Sequence, residues 1–499
     1  MEIRKRRLLP WSEPTVKREC DFLLDFAEFD AAAMTLSGDS QNAGSSERTR
    51  GAGAPSAVAG SVLAGPWTAR PGGPLTGAAS APGDKSISHR ALIFGALARG
   101  VSVVDGLLEG DDVLRTAAAM RAFGADIERD GARWRVAGAP WRSPDKALYF
   151  GNSGTGVRLV MGAAAGAGVA AAFDGDASLR ARPMGRILEP LRMMGLEAAD
   201  TDGRLPLAIE AADSLSAIRV KLATPSAQLK SAILLAALGA AGRTRVHEPV
   251  LCRDHTERML GAFGVALDIE DDGAGGRYIG IEGGQALSAC DVRVPGDPSS
   301  AAFLVAAAAI TPGSDVLVKN VLMNPTRDGF YTTLREMGAD LGYENRREES
   351  GEPVADLRVR SAPLAGVVVP AARAPSMIDE YPILSVVAAF AHGETVMEGL
   401  EELRVKESDR IASMEAGLAA AGVDAASGPD WLRVRGRGVA PAGGARVRTN
   451  HDHRIAMSFL VMGLAAKAPM EIDDAAMIAT SFPDFAGLMA SLGADMAPL

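Results

Sequence analysis

The sequence predicts an α/β protein made of six copies of one helix–strand unit, arranged as two domains of three units each. Three observations carry this reading. A glycine recurs at the end of an amphipathic helical pattern, a second series of helical runs is apolar nearly all round, and the chain has 499 residues. At roughly 100–200 residues per domain, that length is too great for one core and suits two large ones.

The amphipathic patterns end at MRAFGADI (120–127), LRMMGLEA (191–198), LGAFGVAL (260–267), LREMGADL (334–341), LAAAGVDA (418–425) and MASLGADM (489–496). Their glycines, Gly124, Gly195, Gly264, Gly338, Gly422 and Gly493, are spaced by 71, 69, 74, 84 and 71 residues. Glycine suits these places because a helix C-cap commonly needs a positive φ. Most are followed by a strand, a polar turn and a second strand, as in Ala125–Ile127, Asp130-Gly131 and Arg133–Val136.

The second series begins at Lys85, Ser153, Ser226, Pro298, Asp379 and Asp452. Helices apolar on every side are buried, so each unit pairs one buried helix with one amphipathic helix. The last unit reaches Leu499 without a hairpin partner, and the segment before Pro82 is expected to complete it. That places residues 84–294 in the first domain and 67–83 plus 295–499 in the second, with the chain crossing at the two Pro-Gly-Asp junctions, 82–84 and 295–297.

Residues 1–66 stand apart as an appendage expected to be largely disordered. Arg4-Lys5-Arg6-Arg7 is followed by acids (Glu13, Glu19, Asp21, Asp25) rather than an apolar or acid-poor targeting segment, and a start at Met34 is the alternative. Net charge is −10 and the 14 Phe, 5 Tyr and 5 Trp are scattered, so no nucleic-acid partner is expected. The 3 cysteines form neither a disulfide framework nor a zinc pattern, and no apolar run approaches the ~20 residues of a membrane span. A cytoplasmic monomer without membrane contact is expected.

Charges at the first turns of buried helices cannot lie in a core, so they must face a cleft or solvent. If several such starts converge, their free N–H groups and positive dipole ends make an anion site. Lys85, Ser86 and Arg90; Asn152, Gly154, Thr155 and Arg158; Ser226 and Gln228; Asp379 and Glu380; and His453 and Arg454 occupy those places. Arg182, Arg253, Lys406 and Arg410 stand just before amphipathic helices. In an acidic chain this concentration points to a polyanionic small molecule. Plainer readings compete: Ser86, Ser226 and Asp297 as helix caps, 406–410 as a solvated charged run, and Cys252 as a small apolar residue. His451-Asp452-His453 lacks a third ligand, so no metal is expected. Gly151–Gly156 lacks a P-loop ending yet can cradle a phosphate with backbone N–H groups.

Together the stretches PGDKSISHRA (82–91), GNSGTGVRL (151–159), RPMGRILEPL (182–191), PSAQLKSAILLA (225–236), RDHTERML (253–260), VPGDPSSAAF (294–303), IDEYPIL (378–384), RVKESDRI (404–411) and HDHRIAMSFLVMG (451–463) resemble the enolpyruvyl transferases, on the branch that acts on shikimate 3-phosphate. The resemblance implies a two-domain inside-out α/β barrel with three βαβαββ units per domain. It implies transfer of the enolpyruvyl group of phosphoenolpyruvate to the 5-hydroxyl of shikimate 3-phosphate, with release of phosphate, through a tetrahedral intermediate and without cofactor, metal or covalent adduct.

By matching position, Lys85, Ser86, Arg90, Ser226, Ala227, Gln228 and Arg253 would hold shikimate 3-phosphate. Lys85, Asn152, Gly154, Arg182, Arg410 and Arg454 would surround phosphoenolpyruvate, with Lys406 beside the shared site. Asp379 would take the 5-hydroxyl proton and Glu407 would handle the proton at C3, making Asp379, Glu407 and Lys85 the catalytic set. A carboxylate among so many cations needs burial to tune its pKa if it is to act as an acid. Two departures stand out: Thr480 replaces a lysine common in the family, and Ala227 replaces a second serine. Both resemble the glyphosate-tolerant branch, whereas Gly154 predicts inhibition by glyphosate. The nearest alternative, a transferase acting on UDP-N-acetylglucosamine, relies on a loop cysteine, and none occurs between Lys85 and Leu251. RNA 3′-phosphate cyclisation lacks a nucleotide motif here, and a non-catalytic polyanion-binding protein would not need Asp379 and Glu407.

Overall fold

The structure, a computed structural model, describes residues 64–499. Apart from residues 64–66, the appendage and the alternative start at Met34 lie outside that range. The described residues form an α/β fold of six four-stranded sheets, with one further two-stranded pair.

One sheet shows the pattern. Leu148–Tyr149 runs parallel to Ala171–Asp174, which is antiparallel to Arg204–Ile209, itself in a hairpin with Ala198–Thr201. The hairpins follow from the glycine signal. All six glycines have positive φ, between 78° and 113°. At each, the N–H of the next residue bonds the carbonyl five residues back, from Ala125 to Met120 through Ala494 to Met489, at 2.9–3.1 Å. This closure satisfies carbonyls left over at a helix end and turns the chain into the strand.

Six helices, Lys85–Leu97, Gly154–Gly166, Ala227–Ala237, Pro298–Ile310, Tyr381–Phe390 and His453–Gly463, are buried over most of their surface. Strands instead alternate, with Trp134 and Val136 inward and Arg133 and Arg135 outward, as expected of a sheet with one wet face. Close helix contact needs small residues: a Cβ on Gly162 would lie 2.3 Å from the Ala232 carbonyl oxygen.

Buried apolar side chains gather in two clusters. One draws on residues 87–294 with Leu322, the other on residues 67–79 and 301–492. The final sheet is completed from upstream: Trp67–Arg70 pairs antiparallel with both Met470–Ile472 and Asp495–Pro498. Thr76–Ser80 lies parallel to Asp315–Leu322, and Val292–Arg293 parallel to Val101–Asp105. The chain therefore passes between the clusters twice, and the two passages run side by side. Asp84 N–H donates to the Pro295 carbonyl (2.7 Å) and Asp297 N–H to that of Pro82 (2.8 Å). Gly83 is required there, because a Cβ would sit 2.0 Å from the Gly106 carbonyl oxygen.

Candidate active site

A cavity of about 410 Å³ is lined by two stretches of the chain, residues 85–253 and 297–454, within the ~300–1,000 Å³ usual for small-molecule sites. All six buried helices begin at or beside its wall, through Lys85, Gly154, Ala227, Ser299, Asp379 and His453. Four of them carry a side-chain cap on the residue before the helix, Asp84, Ser153, Ser226 and Asp452, and Asp297 caps a fifth. Ser226 and Asp297 are thus both helix caps and cavity residues, because an N-cap lies where the helix opens, whereas Ser86 lies inside its helix, with Asp84 as the cap, and lines the cavity only.

The wall from residues 85–253 holds five cations and one carboxylate. Lys85 Nζ lies 3.0 Å from Asp112 Oδ2. Arg182 Nη2 donates to Asn152 Oδ1 (2.6 Å), and Arg158 Nη1 to Gln228 Oε1 (2.9 Å). Gln228 Nε2 in turn donates to Thr155 Oγ1 (3.0 Å), which fixes the amide. Ser86, Gly154 and Ala227 also line this wall.

The facing wall, from residues 297–454, holds four cations and five carboxylates. Asp379 accepts from Arg253 (2.6 Å) and Arg410 (3.3 Å), with Arg454 Nη2 at 3.8 Å and Lys406 Nζ at 4.0 Å. Burial alone would raise its pKa, but Arg454, Arg253, Lys406 and Arg410 outweigh it and hold the carboxyl well below the usual range. Glu407 accepts from Arg410 (2.5 Å) and lies 3.4 Å from Arg182. Arg410 is itself fixed by Asp452 at 2.8 Å. Arg253–Asp379, Arg182–Glu407 and Arg186–Glu402 (3.2 Å) all cross the cavity.

This constellation suits a polyanionic small-molecule ligand. Residues 69–489 match the family described as EPSP synthase (3-phosphoshikimate 1-carboxyvinyltransferase). The chain belongs to the EPSP synthase family. Among its relatives, the 3-phosphoshikimate 1-carboxyvinyltransferase of Methylorubrum extorquens is 58% identical over 437 residues, covering 86% of this chain and 96% of that one. The enzyme of the same name from Phenylobacterium zucineum is 57% identical over 432 residues, covering 86% and 95%. The EPSP synthase structure from Acinetobacter baumannii superposes with a TM-score of 0.77 at 42% identity, over 87% of this chain and all of that one.

Against the EPSP synthase expectations, fourteen of the fifteen sequence-predicted site residues lie on the cavity wall: Lys85, Ser86, Asn152, Gly154, Arg182, Ser226, Ala227, Gln228, Arg253, Asp379, Lys406, Glu407, Arg410 and Arg454. Arg90 does not. It is buried behind Ser86, donating to the Ser86 carbonyl, Thr256 Oγ1 and Ser231 Oγ, each at 2.8 Å. One turn into the helix it points along the backbone of the first turn rather than out of it. Glu407 also differs from the simple picture of a carboxylate raised by burial. Burial does push its pKa up, but Arg410, Arg182 and Lys85 prevail and hold it well below the ordinary value. Lys406 is shifted down, chiefly by burial, with Arg410 adding to it. Thr480 turns its hydroxyl to the Met477 carbonyl (2.7 Å) and is not on the wall.

Sequence reasoning passed over Asp112, Arg186, Glu402, Ser299 and Arg327, which also line the cavity. Asp112 follows Gly110 as an ordinary first-turn acid, and Arg186 sits inside a quoted family stretch; neither carries a local mark of its partner. Cys252 reaches the wall but is no nucleophile: burial raises its pKa and its thiol donates to Glu248 Oε1 (2.6 Å).

Proposed function

We propose that this chain transfers the enolpyruvyl group of phosphoenolpyruvate to the 5-hydroxyl of shikimate 3-phosphate, a step of aromatic amino-acid biosynthesis, and releases phosphate. The work is done in a cleft between two inside-out α/β barrels of three βαβαββ units each, residues 84–294 and residues 67–83 with 295–499. The reading rests above all on the nine cations and six helix starts that surround Asp379 and Glu407 in one cavity. Both walls come from one chain, which supports a monomer as the working unit. No helix among the described residues is long and apolar enough to cross a membrane, and a cytoplasmic location belongs to the same proposal.

Ser86, Ser226, Gln228 and Arg253 hold shikimate 3-phosphate, where hydroxyls and cations meet a phosphate dianion. Lys85, Asn152, Gly154, Arg182, Arg410 and Arg454 enclose phosphoenolpyruvate, whose carboxylate and phosphate suit planar guanidinium forks. In the addition, Asp379 takes the 5-hydroxyl proton, the oxygen bonds C2, and Glu407 delivers a proton to C3. In the elimination, Glu407, now ionised, takes a proton back from C3, the C2–C3 double bond re-forms, and the bond from C2 to the phosphate oxygen breaks, the departing phosphate taking up the proton held by Asp379. Incoming anions compete for Arg253, Arg182 and Arg410. Asp379 and Glu407 lose part of their cationic compensation, so their pKa values rise toward the range useful for proton transfer.

The test is phosphate release from the two substrates together. Wild type is expected to turn over, and Asp379→Ala and Glu407→Ala to lose roughly 10²–10⁴-fold in kcat, the usual worth of positioned acid–base groups. No release by wild type would sink the assignment, and full activity in the variants would sink the roles. Gly154 adds a second test. A Cβ there would lie 2.8 Å from Arg182 Nη1 and 3.0 Å from Arg158 Nη1. Wild type is therefore expected to be inhibited by glyphosate, and Gly154→Ala to be inhibited less and to have a higher KM for phosphoenolpyruvate. Equal inhibition curves would remove the crowding argument.

A further inference from the structure

Where the two chain passages meet, one buried side chain touches both. Arg327 follows the strand Asp315–Leu322 and is 2% exposed. Its Nη1 lies 3.0 Å from Asp84 Oδ2, and its Nη2 lies 3.3 Å from Asp297 Oδ1 and 2.9 Å from Ser299 Oγ. Asp84 caps the helix that begins at Lys85, accepting from Ile87 N–H at 2.7 Å. Asp297, on the other passage, accepts the Lys85 N–H through its second oxygen at 3.3 Å. The backbone carrying Lys85 is thus held from both passages, and both holding carboxylates are held by Arg327.

The third contact leads to the other side of the site. A guanidinium only donates, so the Ser299 oxygen accepts from Arg327 and its one proton is free to be given elsewhere. It goes to the Glu380 carboxylate. Glu380 is buried and adjoins Asp379 in the chain. One guanidinium therefore sets the direction of a relay that ends beside Asp379, while its other branch fixes the start of the Lys85 helix.

We infer that Arg327 is a positioning residue for the proposed reaction, fixing the separation and orientation of Lys85 and Asp379 through Asp84, Asp297 and the Ser299–Glu380 relay. It touches neither reacting group. The inference rests on the reading of Asp379 as the carboxylate that takes the 5-hydroxyl proton. Arginine rather than lysine is needed because only a planar fork reaches acceptors on both passages and the serine at once.

Arg327→Lys keeps the charge and loses the fork, and Ser299→Ala keeps the fork and loses the relay. Both are expected to lower kcat by roughly 10- to 100-fold, the usual consequence of a misplacement of about 1 Å. KM for shikimate 3-phosphate should stay within about threefold, since Ser86, Ser226, Gln228 and Arg253 are untouched, whereas KM for phosphoenolpyruvate should rise with any displacement of Lys85. A residue that only supports the fold would lower the yield or the melting temperature and leave kcat per folded molecule unchanged. Wild-type kcat in either folded variant overturns the inference, and Ser299→Ala decides the matter if Arg327→Lys does not fold. Crystal structures of the variants give a readout that needs no turnover. Displaced Lys85 and Asp379 side chains support the inference, and superimposable ones overturn it. Absence of activity in wild type would count against the function proposed above and leave this structural readout intact.

Discussion

The two walls of the cavity are built to one plan and carry opposite chemistry. Residues 85–253 present five cations with a single carboxylate, and residues 297–454 present four cations with five carboxylates. The repeated unit explains what they share, since every buried helix brings its positive end to the cavity. The difference explains how such a site can exist at all. Nine cations and six dipole ends would repel one another, and the carboxylates of the second wall offset that repulsion across the gap. The groups that draw the walls together are the same ones proposed to move protons, so ligand anions and catalytic carboxylates compete for common partners.

Breaking the pairs that cross the cavity tests this. Arg182→Gln and Arg253→Gln each remove a cation from the first wall. At roughly 1.5–3 kcal/mol for a hydrogen bond to a charged group, KM for the corresponding substrate should rise on the order of 10- to 100-fold in steady-state assays. An unchanged KM would mean that the first wall does not hold the anions. Asp112→Asn should act more weakly, on the order of tenfold in kcat, because Lys85 loses its partner at 3.0 Å and keeps its charge.

Acid should also weaken the fold. Burial, reinforced by Lys85 and Arg90, holds the His89 pKa down at about 3 against 6.5. The unfolded chain then binds a proton that the folded chain refuses. Stability from neutral His89 is complete above pH 6.5 and is lost as pH falls from there toward 3, at up to about 1.4 kcal/mol per pH unit. Denaturant titrations of His89→Gln should show a shallower decline over that window, and an identical slope would refute the assignment. Glu402→Gln should matter least. Its pair with Arg186 is about one-third exposed on each side, where such pairs contribute at most about 1 kcal/mol, so kcat/KM should change less than about fivefold.

How much of this could be read in the sequence depended on how local its cause was. The six C-caps were legible because a left-handed glycine and its hydrogen bond lie within seven residues. The buried helices were legible from composition alone. The strand Trp67–Arg70 followed from counting, since only one of the six units lacked a hairpin partner. Arg90 is turned away from the wall for a physical reason: its position at a helix start is visible in the sequence, whereas Ser231 and Thr256, which draw it inward, lie 141 and 166 residues away. Arg327 left no mark because its partners Asp84 and Asp297 meet only where the passages cross. A buried charge away from a helix start, with counter-charges 243 and 30 residues off as for Arg327, leaves no local mark.

The pairing of Trp67 with Pro498 has a consequence for how the molecule is made. The strand Trp67–Arg70 waits for Asp495–Pro498 to be synthesised before its sheet can close. At roughly 5–20 residues per second, that delay is on the order of tens of seconds, during which Trp67–Arg70 is an unpaired edge. The sheets formed by residues 101–293 can close far earlier. A nascent chain arrested before residue 495 should therefore carry finished sheets over residues 101–293 and an unpaired edge at Trp67–Arg70 open to the wrong neighbour.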